Sequence, residues 1–231
     1  MNGKCICENI KKEFFGWKPT EILGIFFVLG IILFNKVVLH DSTVAVISAV
    51  CGFLYTVLAG KGKISCYLFG LTGSAFYGYL AFANSLFGNL ALYVLYYIPM
   101  QIAGIFNWKN HLKKETNEIY KTSLETSKRF VLVVSSVLLC VLICGVLVLL
   151  KDSHPVLDGC ATALSLVGMY LTVKRCIEQW VVWFIVNLLS VIMWISVINS
   201  GTRAYSTVLM WFVYLLLSVY FYTEWKKEIT E

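Results

Sequence analysis

The chain has 231 residues, of which 59% are apolar and 14% are charged, and its formal net charge is +6. Soluble domains carry about 25% charged residues, so this composition excludes an ordinary soluble domain. Several uncharged runs are long enough for a helix to cross the roughly 30 Å hydrocarbon core of a bilayer. The sequence therefore predicts an all-α polytopic membrane protein in a lipid bilayer, and its charge gives no reason to expect a nucleic-acid partner.

Eight membrane-spanning helices are predicted, after a first segment that carries four lysines and three aromatic side chains and is typical of the membrane interface. The predicted helices cover residues 20–39, 43–59, 64–82, 86–106, 130–150, 156–173, 179–198 and 204–223. The first is the least regular, because Asn35 and Lys36 interrupt it. Pro99 lies inside the fourth helix and predicts a kink there.

The distribution of basic side chains predicts the orientation of these helices. With the N-terminus in the cytoplasm, the cytoplasmic segments hold 16 of the 19 Lys and Arg residues, and the outer segments hold 3. This asymmetry is what the positive-inside rule requires. We therefore predict that both termini and the polar stretch 107–129 are cytoplasmic. Without the first helix, the N-terminal segment would violate the rule, so this helix is retained.

An internal repeat relates predicted helices 2–4 to predicted helices 6–8. An offset of 115 residues pairs Phe69 with Phe184, and an offset of 117 pairs Trp108 with Trp225. Both copies begin on the outer side, so they are parallel repeats, and helix 5 is an inverting linker between them. Such repeats hold a substrate path between them. The predicted divisions are an N-terminal segment with the first helix, the first repeat, a cytosolic loop with the linker helix, and the second repeat with the tail, at residues 1–42, 43–110, 111–153 and 154–231.

Trp183 and Asn187 share one face of the seventh helix, because they are four residues apart. Counted from Gln179 at about 1.5 Å per residue, Asn187 lies some 12 Å deep, near the bilayer centre. An amide at that depth needs a partner, because lipid offers none. A polar group there beside a large ring predicts a binding site. The alternative is that Asn187 only bonds a neighbouring helix.

Two further helices carry polar and aromatic groups at depth. In the fourth helix, Tyr97 and Gln101 are four residues apart, and in the eighth helix Trp211 and Tyr214 are three apart. Amides and phenols bind hydroxyl and carboxamide groups, and rings stack on a flat heterocycle. The predicted substrate-binding residues are Trp183, Asn187, Gln101, Trp180, Tyr97, Tyr214 and Trp211.

Simpler interpretations exist for several of these residues. Gln101 follows Pro99 by two residues and could bond the carbonyl that the kink frees. Trp180 lies at the start of its helix and could belong to the aromatic belt at the membrane surface. Trp211 could pack in the core or lie in the same belt.

The middle of each predicted helix has no Asp, Glu, Lys or Arg. Pumps and many ion-coupled carriers depend on buried ionisable groups, so a passive carrier fits this sequence better. No nucleophile–base pair lies at depth, the eight cysteines show no zinc-like pairing, and the histidines lie in loops. We therefore predict no catalytic residue, no metal and no cofactor.

Two strings resemble the signature regions of the PnuC-type bacterial nicotinamide riboside transporters. The first is W-x-x-W-x-x-x-N at residues 180–187, and the second is Y-x-P-x-Q at residues 97–101. The resemblance covers roughly residues 20–225. The extra helix at 20–39 departs from a bare seven-helix plan.

The resemblance implies a fold similar to that of SWEET sugar transporters, with two three-helix repeats around a linker helix. It implies uptake of nicotinamide riboside, a form of vitamin B3 used for NAD synthesis, across the bacterial inner membrane. Uptake would be by facilitated diffusion, and phosphorylation by a cytosolic kinase would trap the substrate. A homotrimer is also implied. Trp183, Asn187 and Gln101 would hold the substrate.

Two other functions remain open from the residues themselves. A carrier for a related vitamin or nucleoside, such as thiamine or a deoxynucleoside, would also use stacking and amide groups. A membrane enzyme or receptor would need reactive groups at depth or a folded soluble domain. The longest loop has only about 23 residues, which argues against such a domain.

Overall fold

The computed structural model describes residues 16–39, 42–83, 90, 92–151, 154–199 and 205–230. The α-helices in these ranges are α1 Pro19–Leu39, α2 Thr43–Gly60, α3 Cys66–Ala83, α4 Ile98–Lys109, α5 Thr126–Leu149, α6 Pro155–Val173, α7 Glu178–Asn199 and α8 Tyr205–Thr230. These helices confirm the predicted all-helical membrane fold, including the first helix. Most of the predicted interfacial segment lies outside the described residues.

Six of the described helices are long and apolar enough to cross a membrane, namely α1, α2, α5, α6, α7 and α8. Helix α3 has 18 residues, but its glycine, serine and tyrosine residues lower its mean hydropathy. The fourth predicted span is divided into two parts. By length and composition alone, six of the eight predicted spans are therefore identified among the described helices.

The fourth predicted helix contains a change of helix type. A π-helical segment, Leu92–Tyr97, comes directly before α4. Pro99 has no N–H to donate to the carbonyl of Leu95, and wider turns of this kind absorb such a missing bond. Helix α4 then continues to Lys109, beyond the predicted end at residue 106, so Trp108 lies within the helix.

Helix α8 ends at Thr230, seven residues beyond the predicted end at residue 223. The apolar run ends near Thr223, and the charges that follow predicted a free tail. Trp225 is fully buried, and its ring makes an edge contact with Trp180 at 5.6 Å between ring centres. The Nζ atom of Lys121 lies 5.2 Å from the centre of the Trp225 ring. These tertiary contacts explain why the helix continues.

The helices form two compact units, with the boundary between Tyr120 and Lys121. In the first unit, α1 packs on α2, α2 packs on α3, and α3 packs on α4 and the π-helical segment. In the second unit, α5 packs on α6, α6 on α7, and α7 on α8. The most apolar stretch of α5 is only 6% buried, as expected for a helix that faces lipid.

The α2–α3 turn and the α6–α7 turn have the same backbone geometry. Gly62 and Arg175 have φ angles of 69° and 61°. In each turn the next amide donates to the carbonyl five residues before it, at 2.9 Å in the first unit and 3.0 Å in the second. The turns correspond at an offset of 113 residues, not at the predicted 115. Trp108 and Trp225 correspond at 117 and are both fully buried.

Residues 110–125, which lie within the predicted polar stretch 107–129, are bonded to these two turns. In the first unit, the amide of Ile119 donates to the carbonyl of Gly62 at 3.0 Å. In the second unit, the amide of Thr122 donates to the carbonyl of Arg175, also at 3.0 Å. Ile119 is fully buried. This stretch is therefore part of the folded units and not a free linker.

Candidate substrate-binding site

Trp183 of α7 is half-buried in the second unit and packs against Gly168 of α6. A Cβ atom at position 168 would lie 2.9 Å from the Trp183 indole ring. The indole Nε1 donates to Thr172 Oγ1 at 3.2 Å, and Thr172 Oγ1 donates to the Gly168 carbonyl at 2.9 Å. The polar edge of the indole is thus bonded within the protein.

Asn187 lies one turn further along α7 and is only 5% exposed. Its Nδ2 donates to Ser218 Oγ of α8 at 2.9 Å. This bond joins two helices, as the simpler interpretation of Asn187 required. A binding role for its other amide atom, Oδ1, stays a prediction.

The other predicted residues of the second unit differ in burial. Trp211 and Tyr214 are half-buried, and their rings meet nearly at right angles at 6.0 Å. Trp180 is 3% exposed and packs on Phe221 and Trp225 at 5.2 Å and 5.6 Å. Its indole nitrogen has no hydrogen-bond partner in the described part of the chain. Trp180 is thus a core side chain in this unit, not a membrane-belt residue.

Gln101 of α4 is the polar centre of the first unit and is 4% exposed. Its Nε2 donates to Ser74 Oγ of α3 at 2.9 Å. The simpler alternative, a bond from Gln101 to the carbonyl freed by Pro99, is not formed among the described residues. Oε1 of Gln101 is buried, has no partner among the described residues, and would lie 2.8 Å from a Cβ atom at Gly70. A buried acceptor without a donor is a place where a ligand or water can bind.

Tyr97 belongs to an aromatic cluster on the first unit. Its ring meets that of Tyr93 edge-on at 4.9 Å and that of Tyr96 at 5.8 Å. Tyr93 in turn stacks on Tyr77 of α3 at 4.3 Å. The cluster holds the π-helical segment against α3 and adjoins the helix that carries Gln101.

Comparison with known proteins identifies the family. The model of the nicotinamide mononucleotide transporter family matches residues 42–227. The chain belongs to this family. It is 34% identical to the nicotinamide riboside transporter PnuC of Neisseria mucosa, over 95% of this chain and 86% of that protein. It is 31% identical to PnuC of Haemophilus influenzae, over 97% of both chains.

A solved crystal structure of the vitamin B3 transporter PnuC has the same fold. It is similar to this chain with a TM-score of 0.80 and 34% identity, over 94% of this chain and 95% of that one. Together with the family match, this confirms the resemblance to PnuC-type transporters. The chain is thus a member of a transporter family with several membrane-spanning helices.

Each unit of this transporter contains a carboxamide bonded to a serine hydroxyl, but the helix that carries the carboxamide in one unit corresponds to the helix that carries the serine in the other. At the offset of 113 residues, Ser74 of α3 corresponds to Asn187 of α7. At the offset of 117, Gln101 of α4 corresponds to Ser218 of α8. Each unit therefore contains one carboxamide bonded to one serine, both at 2.9 Å. The pair is formed from opposite helices in the two units.

A contact between an aromatic ring and a glycine shows the same reversal of helices between the two units. In the first unit, Tyr55 of α2 packs on Gly70 of α3, where a Cβ atom would lie 2.7 Å from the tyrosine ring. In the second unit, Trp183 of α7 packs on Gly168 of α6. Sequence reasoning placed Ser218 on the polar face of the eighth helix but missed Ser74, Gly168 and the contact of Tyr55, because such contacts are visible only once the facing helix is known.

The polar groups in the middle of the described helices are neutral. They are amides, hydroxyls and phenols, whereas the buried cations Lys63 and Arg175 lie in the turns between helices. Burial lowers the pKa of the Arg175 guanidinium and raises the pKa of the Cys176 thiol beside it. Within the described ranges, three or more potential ligands do not come together to hold a metal ion.

Proposed function

We propose that this chain transports nicotinamide riboside into the cell. The observation that carries the proposal is the pairing of a fixed indole, Trp183, with a buried carboxamide, Asn187, one turn apart on α7. The substrate has a cationic pyridinium ring, a carboxamide and ribose hydroxyls. An aromatic face attracts the cationic ring, and amides bind the polar groups. The similarity to proteins named as nicotinamide riboside transporters supports the same substrate.

The neutral interior favours the riboside over the mononucleotide. A phosphate group carries close to two negative charges and is bound in proteins by Arg, Lys or helix N-termini. The described helices carry no Lys or Arg in their middle parts. A cationic substrate without phosphate fits this environment, although the family name refers to the mononucleotide.

We assign the binding residues as follows. In the second unit, Trp183 stacks on the pyridinium ring and Asn187 binds the hydroxyl groups or the carboxamide. In the first unit, Gln101 is the residue assigned to binding such a polar group. Tyr97, Tyr214 and Trp211 line the path with aromatic surface. Trp180 supports the site from the core of the second unit.

The architecture that we propose is two parallel repeats, α2–α4 and α6–α8, joined by α5 and preceded by α1. The equal geometry of the two turns and the exposed surface of α5 support it. The proposed fold is SWEET-like and the proposed assembly is a homotrimer. The proposed setting is the bacterial inner membrane, with both termini cytoplasmic. The imported riboside would enter NAD synthesis after phosphorylation by a cytosolic kinase.

Uptake is expected to need no ion gradient, because the described helices lack ionisable groups at depth. The measurement is uptake of labelled nicotinamide riboside into liposomes that contain the purified protein. Internal and external concentrations should become equal, with the same rate in sodium, potassium or choline buffers. Accumulation above the external concentration, driven by sodium or protons, would contradict facilitated diffusion.

A ligand panel tests the substrate itself. Calorimetry in detergent would compare nicotinamide riboside, nicotinamide mononucleotide, thiamine and a deoxynucleoside. We expect the riboside to bind most tightly. Tighter binding of thiamine or the deoxynucleoside would replace the proposed substrate with a related vitamin or nucleoside, which stacking groups also accommodate.

Replacing Gly168 with alanine is expected to weaken riboside binding about fivefold, because the new methyl group would lie 2.9 Å from the Trp183 indole and would displace it. The matched control is Gly145→Ala in α5, where a Cβ atom meets nothing within 4 Å. Calorimetry of both variants decides the point. Equal affinity in the two variants would mean that the indole position does not matter for binding.

A further inference from the structure

Ser218 of α8 makes two hydrogen bonds that together fix the orientation of the Asn187 carboxamide. Its Oγ donates to the carbonyl of Tyr214, four residues earlier in the same helix, at 2.8 Å. The same Oγ accepts a bond from Nδ2 of Asn187 at 2.9 Å. Ser218 is 2% exposed. A hydroxyl has one proton to donate. Because Ser218 donates it to the Tyr214 carbonyl, its oxygen can only accept a hydrogen bond from Asn187.

This arrangement determines which end of the Asn187 carboxamide faces Ser218. The NH2 group must face the serine, because turning the amide over would place two acceptors, Oδ1 and Oγ, against each other. Oδ1 therefore lies on the other side, and it accepts no hydrogen bond among the described residues. Asn187 can offer a ligand an acceptor at that position.

We propose that Ser218 is a positioning residue that fixes the Asn187 oxygen toward the ligand and so makes this position selective for hydrogen-bond donors. The matching groups of the substrate are the ribose hydroxyls and the primary carboxamide. This inference rests on the proposed function. It adds a chemical rule, which is that an analogue without the relevant donor is rejected.

In the corresponding pair of the first unit, Ser74 and Gln101, the orientation of the carboxamide is not fixed in this way. Ser74 bonds Gln101 at 2.9 Å but makes no other hydrogen bond among the described residues. Its proton is not committed to a carbonyl, so the Gln101 carboxamide can face it with either end. Fixed polarity is thus a property of the Asn187–Ser218 pair.

A matched control exists in the linker helix. Ser136 of α5 is 8% exposed, and its Oγ donates to the carbonyl of Leu132 at 2.7 Å. This is the same bond within one helix that Ser218 makes, but without an amide partner in the described part of the chain. Ser136→Ala therefore reports the cost of losing such a hydroxyl alone.

The test measures affinity by calorimetry for nicotinamide riboside and three analogues. The analogues are the 2′-deoxy and 3′-deoxy ribosides and the N,N-dimethyl carboxamide. In the unmodified protein, at least one analogue should bind about tenfold more weakly than the riboside. In Ser218→Ala, riboside affinity should fall about fivefold, and this discrimination should shrink to within about twofold, because the released amide can turn over. Ser136→Ala should have the riboside affinity and the discrimination against analogues of the unmodified protein.

Each outcome has a defined meaning. Unchanged affinity and discrimination in Ser218→Ala would overturn the positioning role. Loss of affinity with discrimination intact would also overturn it, since a merely structural serine behaves in this way. If the unmodified protein bound all three analogues as tightly as the riboside, Asn187 would accept no hydrogen bond from these groups of the ligand, and the proposal would be overturned. Failure of the unmodified protein to bind the riboside would instead contradict the proposed function.

Two more variants protect the test against misfolding. Ser218→Cys fills the same space with a poor acceptor and should behave like the alanine variant. Ser218→Thr keeps the hydroxyl and both of its bonds, and should restore the discrimination of the unmodified protein. Loss of discrimination in the threonine variant, with normal thermal stability, would contradict the proposal.

Discussion

Replacing Trp183 with alanine is expected to weaken nicotinamide riboside binding by about 1–3 kcal/mol, roughly 5- to 150-fold. The indole is held by Gly168 behind it and by Thr172 at its nitrogen, so the ring surface is already oriented before a ligand arrives. The variant removes both the stacking surface and the cation–π attraction. Calorimetry in detergent measures the change.

Two companion variants show whether stacking is the cause. Trp183→Phe keeps a ring and should retain part of the affinity, although it loses the bond to Thr172. Ile185→Ala changes an exposed side chain of the same helix and should bind like the unmodified protein. Unmodified affinity in Trp183→Ala, with a folded protein, would remove this residue from the site.

Replacing Glu118 with alanine is expected to reduce the free energy of unfolding by roughly 3 kcal/mol, because it removes a carboxylate that pairs with a buried lysine. Lys63 is fully buried in the α2–α3 turn, and its Nζ lies 3.2 Å from Glu118 Oε1. The Nζ also donates to the carbonyl of Thr116 at 2.9 Å, which cannot neutralise a charge. Thermal unfolding in detergent should show a clearly lower Tm.

The matched control for this prediction is Glu125→Ala. Glu125 pairs with Lys128 at 3.2 Å, but both side chains are mostly exposed. Such surface pairs contribute little to stability, so the Tm should hardly change. If Glu118→Ala and Glu125→Ala had the same Tm, the ion pair of Lys63 would not stabilise the first unit.

Helix positions followed from the sequence where burial in lipid alone determines the structure. Long, mainly apolar runs located α1, α2, α5, α6 and α7 within a few residues of their observed ends. The predicted helix type and helix end were wrong where local contacts determine them. The π-helical segment before Pro99 depends on how a missing hydrogen bond is absorbed, and the extension of α8 depends on the burial of Trp225.

The candidate site was predicted only in part. Trp183, Asn187 and Gln101 stood out because polar and aromatic groups at membrane depth are costly unless they have a role. The structure pairs both carboxamides with serines, and it sets the indole on a glycine of another helix. Serine and glycine are common in apolar helices, so neither residue type indicated its partner.

The sequence alone determined that this protein is a bundle of membrane helices with neutral groups at depth, because hydropathy and charge depend on composition and order and not on contacts. Only the tertiary structure decided which side chains meet. A helix of known length still has a free rotation about its axis and a free choice of neighbour. The bond from Asn187 to Ser218, and with it the direction of the amide, exists only after packing has fixed both.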